Sequence, residues 1–504
     1  MQYDIIFIVG EVFFDHPLSG IAILKRYLEK NGYTIGIIEM PKTEDDIKQL
    51  GKPKLFFAIS SGSIDSMVRN YTPLKKLRKL DENLDYTDDV PNRAIIVYSN
   101  WVRKNFKDSL IVIGGVEATL RRFVHYDYWD NKLRKPILFD SRADILSYGY
   151  SEKQILEIAN RIKNKKDLFK IPGTCIISKE VVDNFKLMPS FNEVNNSKEK
   201  FCDMHNMISI NENLAQKIDN RYVLQFIAPV YTTKDLDEYY ALDFSREVPK
   251  NLRGFQFSIV THRGCIGECN FCSIKASLGS RIISRSINSI LDEIKTITKH
   301  HFFRGNIDDL GGPSANMYGM DCNKCNNSCI DCLKLDRSNS QLIKLLRLAR
   351  KIDGVKNIFI RSGIRYDLVS DEYLKELSKH HIYDTLKVAP EHINKNVLKL
   401  MNKDKGNLKK FIDRFNKLKI DKKLSFYFMV SHPGCNLENS KELSKFIKNF
   451  DNCEFVQVFT PTPLTTSTCM YYTSMDPKTK QKIYVPYNYS EKKQQKRIVM
   501  RNVN

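Results

Sequence analysis

Three cysteines in one short segment, Cys265, Cys269 and Cys272, are the residues whose spacing carries the clearest chemistry. A single loop with this spacing directs three thiolates at one metal centre, and Gly264 and Gly267 permit the tight backbone path. A structural zinc ion normally takes four protein ligands, whereas a 4Fe-4S cluster held by three thiolates keeps one iron open to an external ligand. The loop therefore predicts a reactive iron-sulfur centre, with zinc as the alternative for so short a motif.

A second cysteine group lies in a predicted insertion at residues 321–333. Its members are Cys322, Cys325, Cys329 and Cys332. Paired Cys-x-x-Cys units are typical of zinc, but zinc ribbons place a longer loop between the pairs, and a three-residue gap is closer to ferredoxin-like spacing. We predict an auxiliary iron-sulfur cluster here, with structural zinc as the alternative.

The remaining cysteines stand apart in the sequence, and we predict them to be small buried hydrophobic residues. They are Cys175, Cys202, Cys435, Cys453 and Cys469. The chain has no basic leader followed by an apolar stretch, and nowhere does it contain about 18 consecutive apolar residues. We therefore expect a cytoplasmic protein with reduced thiols and no membrane association.

The elements that position the first cysteine loop alternate between strand and helix over residues 251–475. The predicted strands are 255–260, 303–310, 357–361, 385–389, 425–430 and 454–460, and the predicted helices are 287–299, 340–351, 371–380, 408–418 and 441–450. Six βα units indicate an incomplete version of the eightfold TIM-type barrel, a partial (β/α)6 barrel. The loops after these strands carry Gly, Pro or functional side chains, which predicts one composite pocket at the carboxyl ends of the strands.

Residues 1–178 also alternate between apolar strands and amphipathic helices. The predicted strands are 3–9, 34–40, 54–60, 109–113 and 143–148. Continuous apolar strands between helices indicate a parallel sheet covered on both faces, so we predict a Rossmann-like α/β domain. Residues 179–250 have broken periodicity and are predicted to be a linker or connecting layer. Residues 476–504 are predicted to be a solvated basic tail.

The cysteine spacing with Phe271 before the last cysteine closely resembles that of the radical S-adenosylmethionine superfamily. That resemblance implies that Cys265, Cys269 and Cys272 bind a 4Fe-4S cluster whose open iron chelates the amino and carboxylate groups of S-adenosylmethionine. Reductive cleavage of the bound molecule then gives a 5′-deoxyadenosyl radical that abstracts hydrogen from a substrate. It also implies a flavodoxin or ferredoxin-type reductant as partner.

A narrower resemblance covers nearly the whole chain. The strings that carry it are DHPLSG at 15–20, GGVEATLRRFVHYDYW at 114–129, RGCIGECNFCSI at 263–274, DLGGPSANMY at 309–318 and APEH at 389–392. They look like the YgiQ family of radical S-adenosylmethionine proteins. The family's substrate is not established, so this resemblance implies the cofactor and leaves the reaction open.

The resemblance also implies roles for residues that follow the other strands. Gly311 and Gly312, with Ser314, would meet the ammonium group of S-adenosylmethionine through close backbone approach. Arg361 and Ser362 would bind its carboxylate or ribose. The remaining candidates are Arg365 for the same groups, Glu391 for ribose hydroxyls or the ammonium, Phe271 beside the cluster, and residues 431–434 near adenine.

The N-terminal domain is similar to cobalamin-binding domains fused to many radical S-adenosylmethionine enzymes. Those that use a histidine as lower cobalt ligand carry Asp-x-His-x-x-Gly, whereas here His16 directly follows Asp15, with Gly20 in the expected place. We therefore do not expect a histidine-ligated cobalamin. Such domains can also bind cobalamin without a histidine ligand, and residues 60–63 and 114–115 are compatible with nucleotide-tail contacts, so cobalamin is not excluded.

The net charge of +21, from 80 Lys and Arg against 59 Asp and Glu, is compatible with a polyanionic partner such as RNA. One alternative is therefore an RNA-modifying methylthiotransferase, but that class needs three further N-terminal cysteines, and only Cys175 and Cys202 precede Cys265. Another is a non-catalytic iron-sulfur protein that binds nucleic acid or acts as a sensor. We favour a radical S-adenosylmethionine enzyme acting on an unidentified substrate.

Overall fold

The structure is a computed structural model that describes residues 2–78, 90–322, 328–450 and 453–501. In chain order the strands are β1 (Ile5–Val9), β2 (Ile35–Glu39), β3 (Phe56–Ser60), β4 (Leu110–Gly114), β5 (His125–Asp127), β6 (Lys132–Arg134), β7 (Ile145–Ser147), β8 (Thr174–Ser178), β9 (Lys186–Met188), β10 (Leu214–Ile218), β11 (Arg221–Gln225), β12 (Ser258–Val260), β13 (His262–Arg263), β14 (Ile283–Ser284), β15 (Asn306–Ile307), β16 (Asp309–Gly311), β17 (Asn357–Ile358), β18 (Thr385–Glu391), β19 (Lys423–Val430) and β20 (Cys453–Val458).

The α-helices alternate with these strands through most of the chain. They are α1 (Gly20–Lys30), α2 (Ser66–Asn70), α3 (Ala94–Asn105), α4 (Gly115–Thr119), α5 (Ile137–Ser141), α6 (Glu152–Lys163), α7 (Phe191–Asn196), α8 (Lys198–Met207), α9 (Thr233–Tyr240), α10 (Ser273–Leu278), α11 (Ile287–Thr298), α12 (Ser340–Ala349), α13 (Asp371–His380), α14 (Lys395–Leu400), α15 (Leu408–Lys417), α16 (Leu437–Ile447), α17 (Thr466–Thr473) and α18 (Tyr489–Met500). Among the described helices, none is long and apolar enough to cross a membrane.

The N-terminal region forms a nine-stranded sheet in the order β2-β1-β3-β4-β7-β8-β11-β10-β9. Its first five strands are parallel, in the doubly wound order that places a topological switch point between β1 and β3. Ile6 and Ile8 pack into one apolar cluster, whereas Ile5 and Phe7 pack into another, so both faces of β1 are buried. The expected α/β character with a parallel sheet covered on both faces is present.

Residues 179–250 differ from the predicted linker, because they contain β9, α7, α8, β10, β11 and α9. Strands β10 and β11 form an antiparallel hairpin whose turn residue Asp219 has φ +52°. Leu214 and Leu224 are buried, and β11 pairs with β8. The periodicity was hard to read because each strand is short and separated from the next by polar segments.

The C-terminal half contains every strand and helix predicted between residues 255 and 460, with α16 starting earlier than expected. Strand β12 pairs in parallel with β16, β15 with β17, and β18, β19 and β20 form a parallel three-stranded sheet. An isolated parallel bridge between Ile364 and Val388 links the segment after β17 to β18. The carboxyl ends of these strands and the loops that follow them carry most of the predicted site residues.

The predicted basic tail is not a solvated extension over its helical part. Lys492, Gln495 and Val499 lie on one buried face of α18, which packs against α16 and β20. Lys492 donates to the hydroxyl oxygens of Tyr471 at 2.9 Å and Tyr128 at 3.3 Å. The high Lys and Arg content concealed this face, because the buried positions include a lysine and a glutamine.

Candidate functional site

The cysteine loop, residues 261–272, follows β12 and is shaped by backbone constraints. Gly264 has φ +85°, and a Cβ there would collide with the Arg281 carbonyl oxygen, so glycine is required. Cys265, Cys269 and Cys272 are each partly buried thiols. Burial, together with the nearby Cys269 and Cys265 sulfurs, raises the pKa of Cys272 to about 12. The three thiols therefore influence one another electrostatically at one end of the loop.

Hydrogen bonds from distant segments hold this loop in place. The Asn270 backbone N–H donates to the Met401 carbonyl and its side chain to the Leu400 carbonyl, both at 2.9 Å. The Asn402 side chain donates to the Glu268 carbonyl at 2.9 Å, and the Ser467 N–H donates to the Asn270 carbonyl at 2.9 Å. Protein contacts alone thus fix the path of the loop from two sides.

A buried guanidinium lies against the loop. The Arg365 Nη1 is 3.4 Å from the Cys269 Sγ, and the same side chain donates to Asp367 at 3.0 and 2.6 Å. Asn316 holds the Arg365 backbone through two hydrogen bonds of 2.9 Å. A Cβ at Gly267 would collide with Arg365 Nη1, so that glycine makes room for the cation. Arg365 therefore lies against the Cys269 thiol, and its role in binding carboxylate or ribose stays a prediction.

Glu391 and Lys403 form a buried pair on the same side of the loop. The Lys403 Nζ is 3.3 Å from Glu391 Oε1, while Glu391 Oε2 has no hydrogen-bond partner among the described residues. Burial raises the pKa of Glu391 above its usual value. Glu391 was predicted from the sequence and Lys403 was missed, since nothing in their spacing links them.

The donor set of the cysteine loop fits an iron-sulfur cluster better than a single ion. Three thiols with a guanidinium and an ammonium nearby suit a centre that accumulates negative charge. Among the described residues, no three His, Cys, Asp or Glu side chains converge on one ion-sized point. A tetrahedral zinc would bring its thiolates to about 3.8 Å from one another, whereas a cluster spreads them over separate irons.

Gly311 and Gly312 lie at the end of β16, and each faces a specific neighbour. A Cβ on Gly312 would collide with the His262 ring, and one on Gly311 would lie 3.3 Å from Ser362 Oγ. Ser362 in turn donates to Asp309 Oδ2 at 3.0 Å, and burial raises the pKa of Asp309. The lack of a side chain at Gly312 thus makes room for the His262 ring, and the approach of this turn to the S-adenosylmethionine ammonium group stays a prediction. Asp309 was not singled out from the sequence.

The other predicted cofactor residues are dispersed. Arg361 is exposed and donates to the Gly254 carbonyl at 2.8 Å, away from the loop. The Phe271 ring lies edge-on to His432, with centroids 6.4 Å apart. Ser314 is buried. The structure therefore brings Arg365 and Glu391 to the cysteine loop, which itself carries Phe271, but it does not bring Arg361 there.

The second cysteine group lies beside the first. Cys322, Cys329 and Cys265 pack into one apolar cluster with Met317 and Met320. The Cys332 N–H donates to the Cys329 carbonyl at 3.1 Å. Cys325 lies outside the described residues, so the predicted four-cysteine metal site stays a prediction.

Four of the isolated cysteines are buried as predicted, and two of them are neighbours. The buried ones are Cys175, Cys202, Cys435 and Cys469. The side chain of Cys453 is not among the parts of the chain that the structure describes. The Sγ atoms of Cys202 in α8 and Cys469 in α17 are 3.8 Å apart. Sequence separation hid this contact.

A cavity of about 530 Å³ lies between the carboxyl edge of the N-terminal sheet and the ends of β12 and β16. Residues 60–63 and 114–115, noted in the sequence, contribute to its lining, as do Gly264, Gly311 and Gly312. His16 does not. Its Nε2 lies 2.8 Å from the Gln256 carbonyl oxygen, and its Nδ1 accepts from the Leu18 N–H at 3.0 Å.

The fold and the cysteine loop are those of a radical S-adenosylmethionine protein, and the family comparisons agree. The Radical SAM N-terminal model matches residues 1–258, and the Radical SAM superfamily model matches residues 259–447. The chain is 44% identical to UPF0313 protein MJ1155 of Methanocaldococcus jannaschii, over 99% of this chain and 89% of that one. It is 41% identical to UPF0313 protein FN0734 of Fusobacterium nucleatum, over 98% and 95%. The chain therefore belongs to the UPF0313 family of radical S-adenosylmethionine proteins.

Two solved structures share the overall fold at low identity. The radical S-adenosylmethionine methyltransferase TsrM from Kitasatospora setae, solved with tryptophan and a cofactor analogue, is 13% identical with a TM-score of 0.55, over 93% of this chain and 76% of that one. The cobalamin-dependent radical enzyme OxsB is 14% identical with a TM-score of 0.51, over 93% of this chain but only 55% of that one. Both resemblances concern the fold alone.

These findings define the type of protein. It is a radical S-adenosylmethionine enzyme that uses a 4Fe-4S cluster and S-adenosylmethionine, with a mixed α/β fold and an N-terminal domain ahead of the radical domain. Its substrate is unknown.

Proposed function

We propose that Cys265, Cys269 and Cys272 hold the 4Fe-4S cluster and that S-adenosylmethionine binds across the carboxyl ends of β12, β16 and β18. The observation that supports this is the position of Arg365, whose Nη1 lies 3.4 Å from Cys269 Sγ in the loop that also carries Cys265 and Cys272. The Glu391–Lys403 pair lies close enough for the Lys403 ammonium to act on the Cys265 thiol. When bound, the cluster supplies the electron that cleaves S-adenosylmethionine to a 5′-deoxyadenosyl radical. The protein residues bind, orient and shield the reactants.

The roles of individual side chains follow from their positions. Glu391 Oε2 is buried and without a partner among the described residues, so it is available to accept from the ammonium or a ribose hydroxyl. Lys403 balances the charge of Glu391. Gly311 and Gly312 let the backbone approach the cofactor, and Ser314 and Ser362 border that turn. Phe271 and His432 exclude water beside the loop.

We also infer a partial (β/α)6 barrel formed by β12, β16, β17, β18, β19 and β20, spanning residues 251–475 after an N-terminal domain at 1–178. The parallel pairings and the bridge from Ile364 to Val388 support this arrangement. Catalytic groups in such a barrel lie at the carboxyl ends of the strands and in the loops that follow them, as Glu391 at the end of β18 and the cysteine loop after β12 do here.

The proposal needs no cobalamin. The candidate lower ligand His16 is engaged with Gln256 and Leu18, and burial lowers its pKa to about 3. The second cysteine group is proposed to hold an auxiliary iron-sulfur cluster or zinc. The reductant is proposed to be a flavodoxin or ferredoxin, and the site of action the cytoplasm, where low potential keeps thiols reduced.

The test is anaerobic incubation of the iron-loaded enzyme with dithionite and S-adenosylmethionine. Wild type is expected to produce 5′-deoxyadenosine, and the triple variant C265A/C269A/C272A to lose that product together with about four irons per chain. The variant C175A, which removes a buried isolated cysteine, is the control and should keep both. A fully loaded wild type that makes no 5′-deoxyadenosine would refute catalysis and favour a binding or sensory role.

A further inference from the structure

The cavity between the two halves of the molecule lies at the topological switch point of the N-terminal sheet. Glu11 follows β1 and residues 60–63 follow β3, the two strands that diverge there. Ligands of doubly wound sheets bind at this crevice. The opposite wall is formed by β12, β16 and the glycine turn at 311–312, which the proposed function assigns to S-adenosylmethionine. The cavity therefore continues into the proposed cofactor site, and a molecule held on its N-terminal side would lie against the cofactor.

Most of the cavity lining is apolar. The side chains include Leu18, Ile21, Ile59, Ile113, Val260 and Leu278. A volume of about 530 Å³ falls within the usual range for small-molecule sites. The body of a ligand that fills it is therefore small and mainly hydrophobic.

Several buried polar atoms on the lining have no hydrogen-bond partner among the described residues. They are the Tyr150 hydroxyl, Glu152 Oε2 and Ser258 Oγ. Glu152 and Ser258 are only 4% and 3% exposed. Because these atoms are themselves covered by protein, polar recognition of a ligand would come from other lining groups, such as Glu11.

The charges on the lining are predominantly negative. Glu11 and Asp309 both line the cavity. Burial raises the pKa of each carboxyl, and a cation bound beside them would favour their charged forms. The cation Arg263 is already paired with Glu152 at 2.7 Å and donates to the Tyr240 hydroxyl at 3.1 Å. Despite the net charge of +21 of the whole chain, this cavity therefore disfavours anions.

We infer that this cavity is the substrate site and that the substrate is a small, largely apolar amine, recognised by Glu11 from the N-terminal sheet. Glu11 is held by the Ser63 backbone N–H at 2.7 Å, which fixes its carboxylate at the edge of the cavity. The inference rests on the proposed function, since it places this amine beside the cofactor. The carboxylates of Glu11 and Asp309 disfavour phosphorylated compounds and nucleic acid as occupants.

The experiment compares 4-phenylbutylamine with 4-phenylbutyrate, two probes with the same apolar body and opposite charge. Binding to the cluster-loaded protein is measured anaerobically by calorimetry. We expect the amine to bind at least about tenfold more tightly, a difference of about 1.4 kcal/mol. The variant Glu11→Gln should remove most of that preference. The matched control Glu44→Gln, whose carboxylate pairs with Lys104 on the surface, should keep it.

Equal binding of both probes, no binding of either at millimolar concentration, or an unchanged preference in Glu11→Gln would overturn the inference. Thermal unfolding of each variant shows whether lost binding reflects lost folding. Production of 5′-deoxyadenosine by wild type is measured in the same samples. If that product forms while the amine fails to bind, the substrate assignment is wrong and the proposed function stands.

Discussion

The two ends of the site have opposite electrostatic character. At the cysteine loop, the cations Arg365 and Lys403 lie beside sulfur, and their carboxylate partners are Asp367 and Glu391. At the cavity, Glu11 from the edge of the N-terminal sheet and Asp309 from β16 line the wall, and Arg263 is paired with Glu152. The difference indicates a division of labour, in which one half of the chain stabilises an electron-rich centre and the other selects what approaches it.

Of the changes predicted, replacing the guanidinium of Arg365 beside the cysteine loop should have the largest effect on the enzyme. Arg365→Lys keeps a positive charge near Asp367 but lacks the planar group that reaches both Asp367 and Cys269. Hydrogen bonds to cluster sulfurs raise the reduction potential. We expect the midpoint reduction potential of the cluster to fall by about 60 mV, which is a tenfold change in the equilibrium constant for transfer of one electron. Formation of 5′-deoxyadenosine should be slower.

The midpoint is measured by a redox titration followed by electron paramagnetic resonance. Arg361→Lys is the matched control, because Arg361 lies in the same segment but is exposed and bonded to Gly254. An unchanged potential in Arg365→Lys would show that the guanidinium acts on Asp367 alone.

Gly312 lies in the glycine turn between the cysteine loop and the cavity, and a substitution there tests how this turn is packed. In Gly312→Ala the new Cβ would collide with the fully buried His262 ring, so we expect a loss of about 2 kcal/mol in stability. The melting temperature should fall. Gly20→Ala, where nothing lies within 4 Å of the added carbon, should leave it equal or slightly higher. Equal melting temperatures for wild type and Gly312→Ala would contradict the packing described for this turn.

Lys492 is a buried cation whose described hydrogen-bond partners are tyrosine hydroxyls, whereas Arg365 and Lys403 have carboxylate partners. It therefore serves as a reference for a buried cation without a paired carboxylate. Burial lowers the pKa of Lys492 to about 8 from 10.5. The unfolded chain therefore binds more protons above that pH, and wild-type stability should rise as the pH increases from 7 to 9. The gain relative to Lys492→Met is about 1 kcal/mol.

This pH dependence is measured by denaturant unfolding at several pH values. Lys493→Met, on the exposed face of the same helix, should follow wild type. A difference between wild type and Lys492→Met that stays constant over this range would mean that the ammonium does not titrate there.

The sequence was most informative where local pattern determines structure. The apolar strands β1, β3 and β4 and the six strands predicted after residue 250 are present, because period and flanking glycines are local properties. It was least informative at 179–250 and in α18, where short or charged elements are buried by tertiary contacts. The spacing of Lys492, Gln495 and Val499 is helical and was the available signal for α18.

The residues of the candidate site also differ in whether the sequence alone could identify them. The cysteine loop and Glu391 could be identified from motifs within one segment. Lys403 and Glu11 could not, because each acquires its role through a partner in a different loop, Glu391 and Ser63 respectively. Arg361 and Arg365 are only four positions apart, yet one is exposed and the other is buried against Cys269, a distinction that depends on which way the chain turns after β17.

The anchoring of Asn270 has a consequence for maintenance of the enzyme. Its bonds to Met401, Leu400 and Ser467 involve only protein groups, so they persist whatever the iron content of the chain. The entropy of ordering this segment is lost when the chain folds and need not be lost again when metal arrives. A cluster damaged by oxygen would then be repairable by inserting new iron and sulfide into the folded chain, without unfolding or chaperone assistance.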